Sequence, residues 1–188
     1  EEAYFGWQYY LSGAVDTPAW SPKATRTSSL LASSSVPAFN VGYARMMQDG
    51  EWVVGSEETF LTIYDSHVES FPEAAWVKAD YLMSKILAGD IAYRRFSAEI
   101  MDLLQSAVDR GYFAAMDSMA STLNYGDIVG MDEVEATRLY QIQAQFGWPD
   151  SQVAFGRQLI RGLGIAVNET VGWDWIELAA SQGYAPAY

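Results

Sequence analysis

The one histidine of the chain, His67, lies between Asp65 and Glu69. An imidazole beside carboxylates is the minimum kit for general-base or metal chemistry. A helix, however, brings together residues three or four apart, and these acids stand only two away. With no second histidine and no cysteine in 188 residues, a zinc site lacks donors, and thiol nucleophiles and disulfides are excluded. A Ser-His-Asp triad would have to use His67, and no G-x-S-x-G turn exists to present a serine. The plainer reading of His67 is structural. Asp127, Asp132, Glu133 and Glu135 crowd one loop, but no glycine occupies the sixth position of a calcium loop. Acids there, and Glu57-Glu58 elsewhere, suit the first turn of a helix, where they face the positive end of its dipole. Gly126 to Gly130 and Gly162-Leu163-Gly164 are too short to cradle a phosphate and follow no strand pattern, so they read as turns. No residue set selects a catalytic centre, a metal or a cofactor, and the expectation is a protein that is not an enzyme.

Charge narrows the partners. Eleven basic against 24 acidic residues give −13, which disfavours nucleic acid and anionic membrane surfaces and points toward a basic or cationic partner segment. Residues 37–73 carry −6 and residues 113–148 carry −4, so an acidic face on those two stretches is the expected attractor, although solvated helix faces alone give similar sums. No apolar run approaches the 18 to 20 residues, roughly, that cross a bilayer. The start at Glu1, with no Met and no apolar leader, fits a processed periplasmic or secreted form, or a piece of a longer chain. Half of the residues are apolar, enough for a buried core.

The elements that position these residues repeat. Moving residues 114–148 forward by 36 lays Leu123 on Leu159, Gly126 on Gly162, Asp132 on Asn168, Leu139 on Trp175, Ala144 on Ala180 and Gly147 on Gly183. Gly13, Gly50, Gly89, Gly126 and Gly162 each follow a helix-like apolar stretch, and Gly6, Gly42, Ser84, Ala120 and Gly156 place a small residue inside each stretch. Each period reads as two helices. In the last, Val153, Phe155, Leu159 and Ile160 share a helical face, Gly162 stops the helix, and a second helix runs from about Glu169 with Trp175, Ile176, Ala179 and Ala180 on one side. Asp132 and Asn168 sit where a side chain would cap that second helix. Gly156 and Ala120 are expected to let paired helices approach closely. No alternating strand pattern appears.

Phe155-Gly156, Leu159, Gly162, Gly164-Ile165, Asn168, Gly172, Trp175, Ala179-Ala180 and Gly183 together resemble the Sel-1-like repeat, a relative of the tetratricopeptide repeat. Residues 113–148 resemble it through Ala120, Leu123, Gly126, Asp132, Ala136, Leu139, Ala144 and Gly147. Residues 74–112 keep only Leu103, Ala107 and Gly111, and residues 1–73 mainly Phe5-Gly6, Gly13 to Asp16, Val41-Gly42 and Gly50. Asn168 stands for the usual Asp and Gly172 for the usual Ala. The resemblance implies an all-α, right-handed αα-superhelix, a solenoid of about five helical hairpins over residues 1–188. The approximate repeats are 1–36, 37–73, 74–112, 113–148 and 149–185. Pro186-Ala187-Tyr188 would begin another first helix, so the array is expected to continue in a longer parent.

The resemblance further implies a protein-interaction scaffold, most often bacterial, whose first helices line a groove. From helix position, Trp7, Tyr10, Tyr43, Met47, Tyr81, Lys85, Met116 and Arg157 are the expected groove residues. Two alternatives stand beside the scaffold. An inhibitor or immunity-type protein would bind one target enzyme. A polysaccharide-binding module would use exposed rings such as Trp7, Tyr9, Tyr10, Trp20, Tyr43 and Trp52, which otherwise fill space between hairpins.

Overall fold

The computed structural model describes residues 35–50 and 55–184. Trp7, Tyr9, Tyr10, Trp20, Trp52, the first repeat as far as Ser34 and the closing Pro186-Ala187-Tyr188 lie outside the described residues. Eight α-helices and one 3₁₀ segment make up the rest, and among the described residues there is no strand. They are α1 (Pro37–Asp49), α2 (Glu57–His67), α3 (Pro72–Leu87), the 3₁₀ turn Ile91–Phe96, α4 (Ser97–Asp109), α5 (Phe113–Tyr125), α6 (Glu133–Gln145), α7 (Pro149–Arg161) and α8 (Glu169–Ser181). The chain forms two compact units, residues 1–77 and 78–188, and α3 spans the junction. No described helix is long and apolar enough to cross a membrane.

In the first unit α1 and α2 pack together. Proline at the start of α1 loses no hydrogen bond there, because the first amides of a helix have no partner inside it. Ser56 caps α2, accepting from the Thr59 amide at 3.2 Å, with Glu57 and Glu58 in the first turn. The Tyr64 hydroxyl, fully buried, donates to Gln48 Oε1 at 2.9 Å. Asn40 Nδ2 stands 3.1 Å from His67 Nε2, which ties the start of α1 to the end of α2 and gives the histidine its structural partner. Arg45 lies over the Trp76 ring at 5.7 Å.

In the second unit α4, α5, α6, α7 and α8 each pack on the next in sequence. The 36-residue period is written in its hydrogen bonds. The Asp132 amide donates to Leu123 O at 3.0 Å and the Asn168 amide to Leu159 O at 2.8 Å, closing two equivalent turns. Asp132 then accepts from the Glu135 amide at 3.0 Å, and Asn168 from the Val171 amide at 3.2 Å. The amides of Tyr112, Trp148 and Tyr184 donate to Ala107, Gln143 and Ala179 at 3.0, 3.2 and 3.3 Å, the same chain reversal three times. Gly126 and Gly162 end α5 and α7 with φ of 69° and 73°, a left-handed conformation in which a Cβ would crowd the backbone.

Packing follows the same register. Ile100, Leu104, Ala107, Ala115, Ala120, Ala136 and Leu139 are wholly or almost wholly buried, and a fully buried leucine or isoleucine stabilises the fold by roughly 1.5–3 kcal/mol. The turn after α7 is seated on α6: Thr137 Oγ1 donates to Leu163 O at 2.8 Å, and Gly164 lies against the Glu133 carbonyl with no room for a side chain. Buried amides cross-link α6 to its neighbours, with Gln143 Nε2 donating to Phe113 O at 3.1 Å and Ser151 Oγ to Gln143 Oε1 at 3.1 Å.

The region 74–112 departs from a plain helical pair. α3 starts at Pro72, and the connection to α4 winds into the 3₁₀ turn, where the Ala92 amide donates to Asp90 Oδ1 at 3.1 Å. Lys78 Nζ and Glu99 Oε1, 2.5 Å apart, link α3 to α4.

Candidate binding groove

A groove of about 270 Å³ opens in the second unit between α3, α5 and the turn that follows α5. Asp80, Met83, Ser84 and Leu87 repeat at three- and four-residue steps, so one face of α3 supplies one wall. Asp117, Ser118, Ser121, Thr122 and Tyr125 do the same from α5, and Asp127 and Ile128 close the end. Met83, Thr122 and Ile128 are buried and form the floor, where Thr122 Oγ1 reaches Met83 Sδ at 3.4 Å. Leu87 and Tyr125 are exposed at the rim, 64% and 68%.

Among the described residues, three carboxylates and no Lys or Arg line this groove. Crowding by the surrounding protein, and secondarily the Asp150 carboxylate, raises the pKa of Asp117 above its ordinary value. Burial raises the Tyr140 phenol behind it, while the contact with Ser121 Oγ at 3.4 Å works in the opposite sense. Asp150 itself accepts from the Tyr184 hydroxyl. Of the described cations on α3, Lys78 pairs with Glu99, and Lys85 lies over the Tyr81 and Tyr93 rings at 5.1 and 6.0 Å.

The groove hydroxyls are spent locally, since Ser84 Oγ donates to Tyr81 O at 2.7 Å and Ser121 pairs with Tyr140. His67, in the other unit, is held by Asn40. Among the described residues no group of three His, Cys, Asp or Glu side chains could hold a metal ion. The groove thus sets a largely apolar floor between walls that carry carboxylates.

The groove residues expected from helix position fall differently. Tyr81 and Met47 are buried, 7% and 8% exposed, so both are core side chains; Met47 packs against Gly55, where a Cβ would fall 2.6 Å from its sulfur. Met46 and Met119 are likewise buried. Tyr43, Lys85 and Met116 are half-buried and Arg157 is exposed, and none of them lines the groove. Trp7 and Tyr10 lie outside the described residues. Sequence reasoning missed Asp80 and Asp117. Their signal was present: Asp80 and Ser84, then Asp117 and Ser121, are two acid–hydroxyl pairs at a four-residue step, 37 residues apart.

Neither models of protein families nor curated proteins match the sequence. Solved structures do. A Sel1 repeat protein from Oxalobacter formigenes superposes with a TM-score of 0.65 at 22% identity, over 83% of this chain and 62% of that one. A protective antigen present in uropathogenic Escherichia coli strains, displaying an SLR fold, is similar at 16% identity and a TM-score of 0.46, over 96% of this chain and 45% of that one. The chain thus has the all-α fold of a Sel1 repeat protein, built from successive helical hairpins. It spans about 62% of the length of the Oxalobacter protein.

Proposed function

We propose that this chain is a non-catalytic protein-interaction module, an adaptor that holds a basic segment of another protein in the α3–α5 groove. The observation that carries this reading is the groove itself, with a floor of Met83, Thr122 and Ile128, walls bearing Asp80, Asp117 and Asp127, and no Lys or Arg among the described residues that line it. A fold assembled from stacked hairpins supplies a rigid curved surface and leaves specificity to the residues displayed on it. Hydroxyls committed to neighbouring atoms support binding over turnover.

A photo-crosslinking residue at Leu87, on the groove rim, tests the reading against the same group at Val134, which is exposed on α6 and lines no part of the groove. In extracts of the source cell, one protein is expected to crosslink from Leu87 and not from Val134, with a yield that falls as salt is raised from about 50 to 500 mM. Equal labelling from both positions, or a yield indifferent to salt, removes the proposal.

A further inference from the structure

We infer that the chain pairs with a second copy of itself, each copy laying its 3₁₀ turn in the α3–α5 groove of the other; the inference rests on the reading of that groove as a site for a basic segment. Arg94-Arg95, in this turn, is the one place in 188 residues where two cations stand side by side. Both arginines are exposed, and among the described residues neither pairs with a carboxylate; Arg95 lies over the Phe96 ring at 4.6 Å. Ile91, which opens the turn, is 81% exposed, the highest value among the large apolar side chains described. The turn therefore displays what the groove lacks, two cations beside an uncovered apolar side chain.

Turn and groove are neighbours on one copy. Leu87 lines the groove, and a chain reaches at most about 3.6 Å per residue, so the Ile91 backbone lies within about 15 Å of it. Lys85, over the Tyr93 ring at 6.0 Å, holds the turn against the end of α3. Adjacent patches of opposite sign satisfy the condition for a closed two-fold pair: an axis between them sets each turn on the other copy's groove, and both contacts form together. Two contacts matter, because one exposed ion pair is weak and the second forms with no further loss of translational freedom. Across the contact Arg94 and Arg95 meet Asp117 and Asp127, exposed groove carboxylates with no described cation paired to them. Leu87 and Ile91, between the groove and the arginines in chain order, meet their counterparts near the axis and leave water. The charge of −13 on each copy opposes association. At physiological salt the Debye length is about 8 Å, so that long-range repulsion is largely screened while the direct contacts persist.

Sedimentation equilibrium of the whole chain at about 150 mM salt tests this. The average mass is expected to rise from 20.9 kDa toward twice that value, with a midpoint on the order of tens of micromolar, since two small contacts make a weak interface. Arg94→Glu with Arg95→Glu should stay monomeric over the same range, and so should Asp117→Lys with Asp127→Lys. Mixed in equal amounts, these two variants should pair again, because each reversed turn then meets a reversed groove and each native turn a native one. Far-UV circular dichroism checks that both fold; if the lysine variant does not, Asp117→Asn with Asp127→Asn takes its place and should remain monomeric. A parent that stays at 20.9 kDa, a mass that climbs past twice the monomer, pairing that survives the arginine reversals, or two folded charge-reversed variants that do not recover on mixing each overturns the inference. The adaptor reading is judged separately by crosslinking at Leu87, so a monomeric chain that still crosslinks one partner loses this inference alone.

Discussion

Gly156 of α7 and Gly172 of α8 pack backbone against backbone. A Cβ on Gly156 would stand 2.6 Å from the Gly172 carbonyl oxygen, and one on Gly172 would stand 2.7 Å from the Gly156 carbonyl oxygen. The same added Cβ atoms would also fall 2.8 Å from Ile176 Cγ1 and 2.6 Å from Ile160 Cγ1, respectively. The last hairpin therefore closes more tightly than alanine at either position permits. Gly172, a departure from the repeat pattern, is the complement of Gly156.

Alanine at either site tests this relationship. Helix propensity alone favours Gly→Ala by about 1 kcal/mol, whereas a clash with a backbone oxygen that cannot rotate away costs roughly 1–3 kcal/mol. Gly156→Ala and Gly172→Ala should each lower stability in urea unfolding by about 1–2 kcal/mol. Gly42→Ala in α1, with no described atom within 4 Å of the added methyl, should raise it by about 0.5–1 kcal/mol. A stabilised Gly156→Ala would mean that the helices can separate freely.

Helix caps give a second test. Asp132→Ala removes the acceptor of the Glu135 amide and should cost about 1 kcal/mol, whereas Asn168→Asp keeps an acceptor for the Val171 amide and should stay within about 0.5 kcal/mol of the parent. Thermal unfolding of the two variants side by side decides it.

Gln143 is buried to 1% exposure and serves Phe113 O and the Ser151 hydroxyl together. Gln143→Leu strands both partners in the interior and should destabilise by roughly 2–3 kcal/mol. Ser151→Ala alone should cost less, and the double variant should fall short of the two losses added, because the second change removes a partner already orphaned. Strict additivity would show that the two side chains do not act together.

Asp117 sets a pH dependence with a definite sign. Its pKa is raised in the folded protein, so the fold binds this proton more tightly than the unfolded chain does. The resulting stability is fully present below the ordinary value of 3.8 and is lost as pH rises through the higher folded value. Asp117→Asn should therefore melt at a higher temperature than the parent at pH 7, with the difference closing below about pH 4. A variant less stable at pH 7 would indicate a cationic partner for Asp117 within the fold.

The hairpin architecture of residues 113–184 was legible because its determinants are local. Gly126 and Gly162 stop helices by their own conformational freedom, and Asp132 and Asn168 cap the next helix three residues away. The region 74–112 was less legible: Asp90 nucleates a 3₁₀ turn that no apolar period announces, and Lys78 meets Glu99 across 21 residues. The groove was hardest to read. Tyr81 and Lys85 sit on α3 beside the residues that line this groove, and a step along the helix separates buried Tyr81 from exposed Ser84 and Leu87.

By itself the sequence determined that the chain is helical, that its second half repeats every 36 residues, and that its net charge is −13, since periodicity, capping and net charge are properties of near neighbours or of simple sums. Tertiary structure alone decided which face of α3 turns toward α5, that Met47 and Tyr81 belong to the core, and that Asp80 and Asp117 share one wall-to-wall space. Those outcomes depend on how helices distant in the chain rotate to bury their apolar sides, and no single segment encodes that rotation.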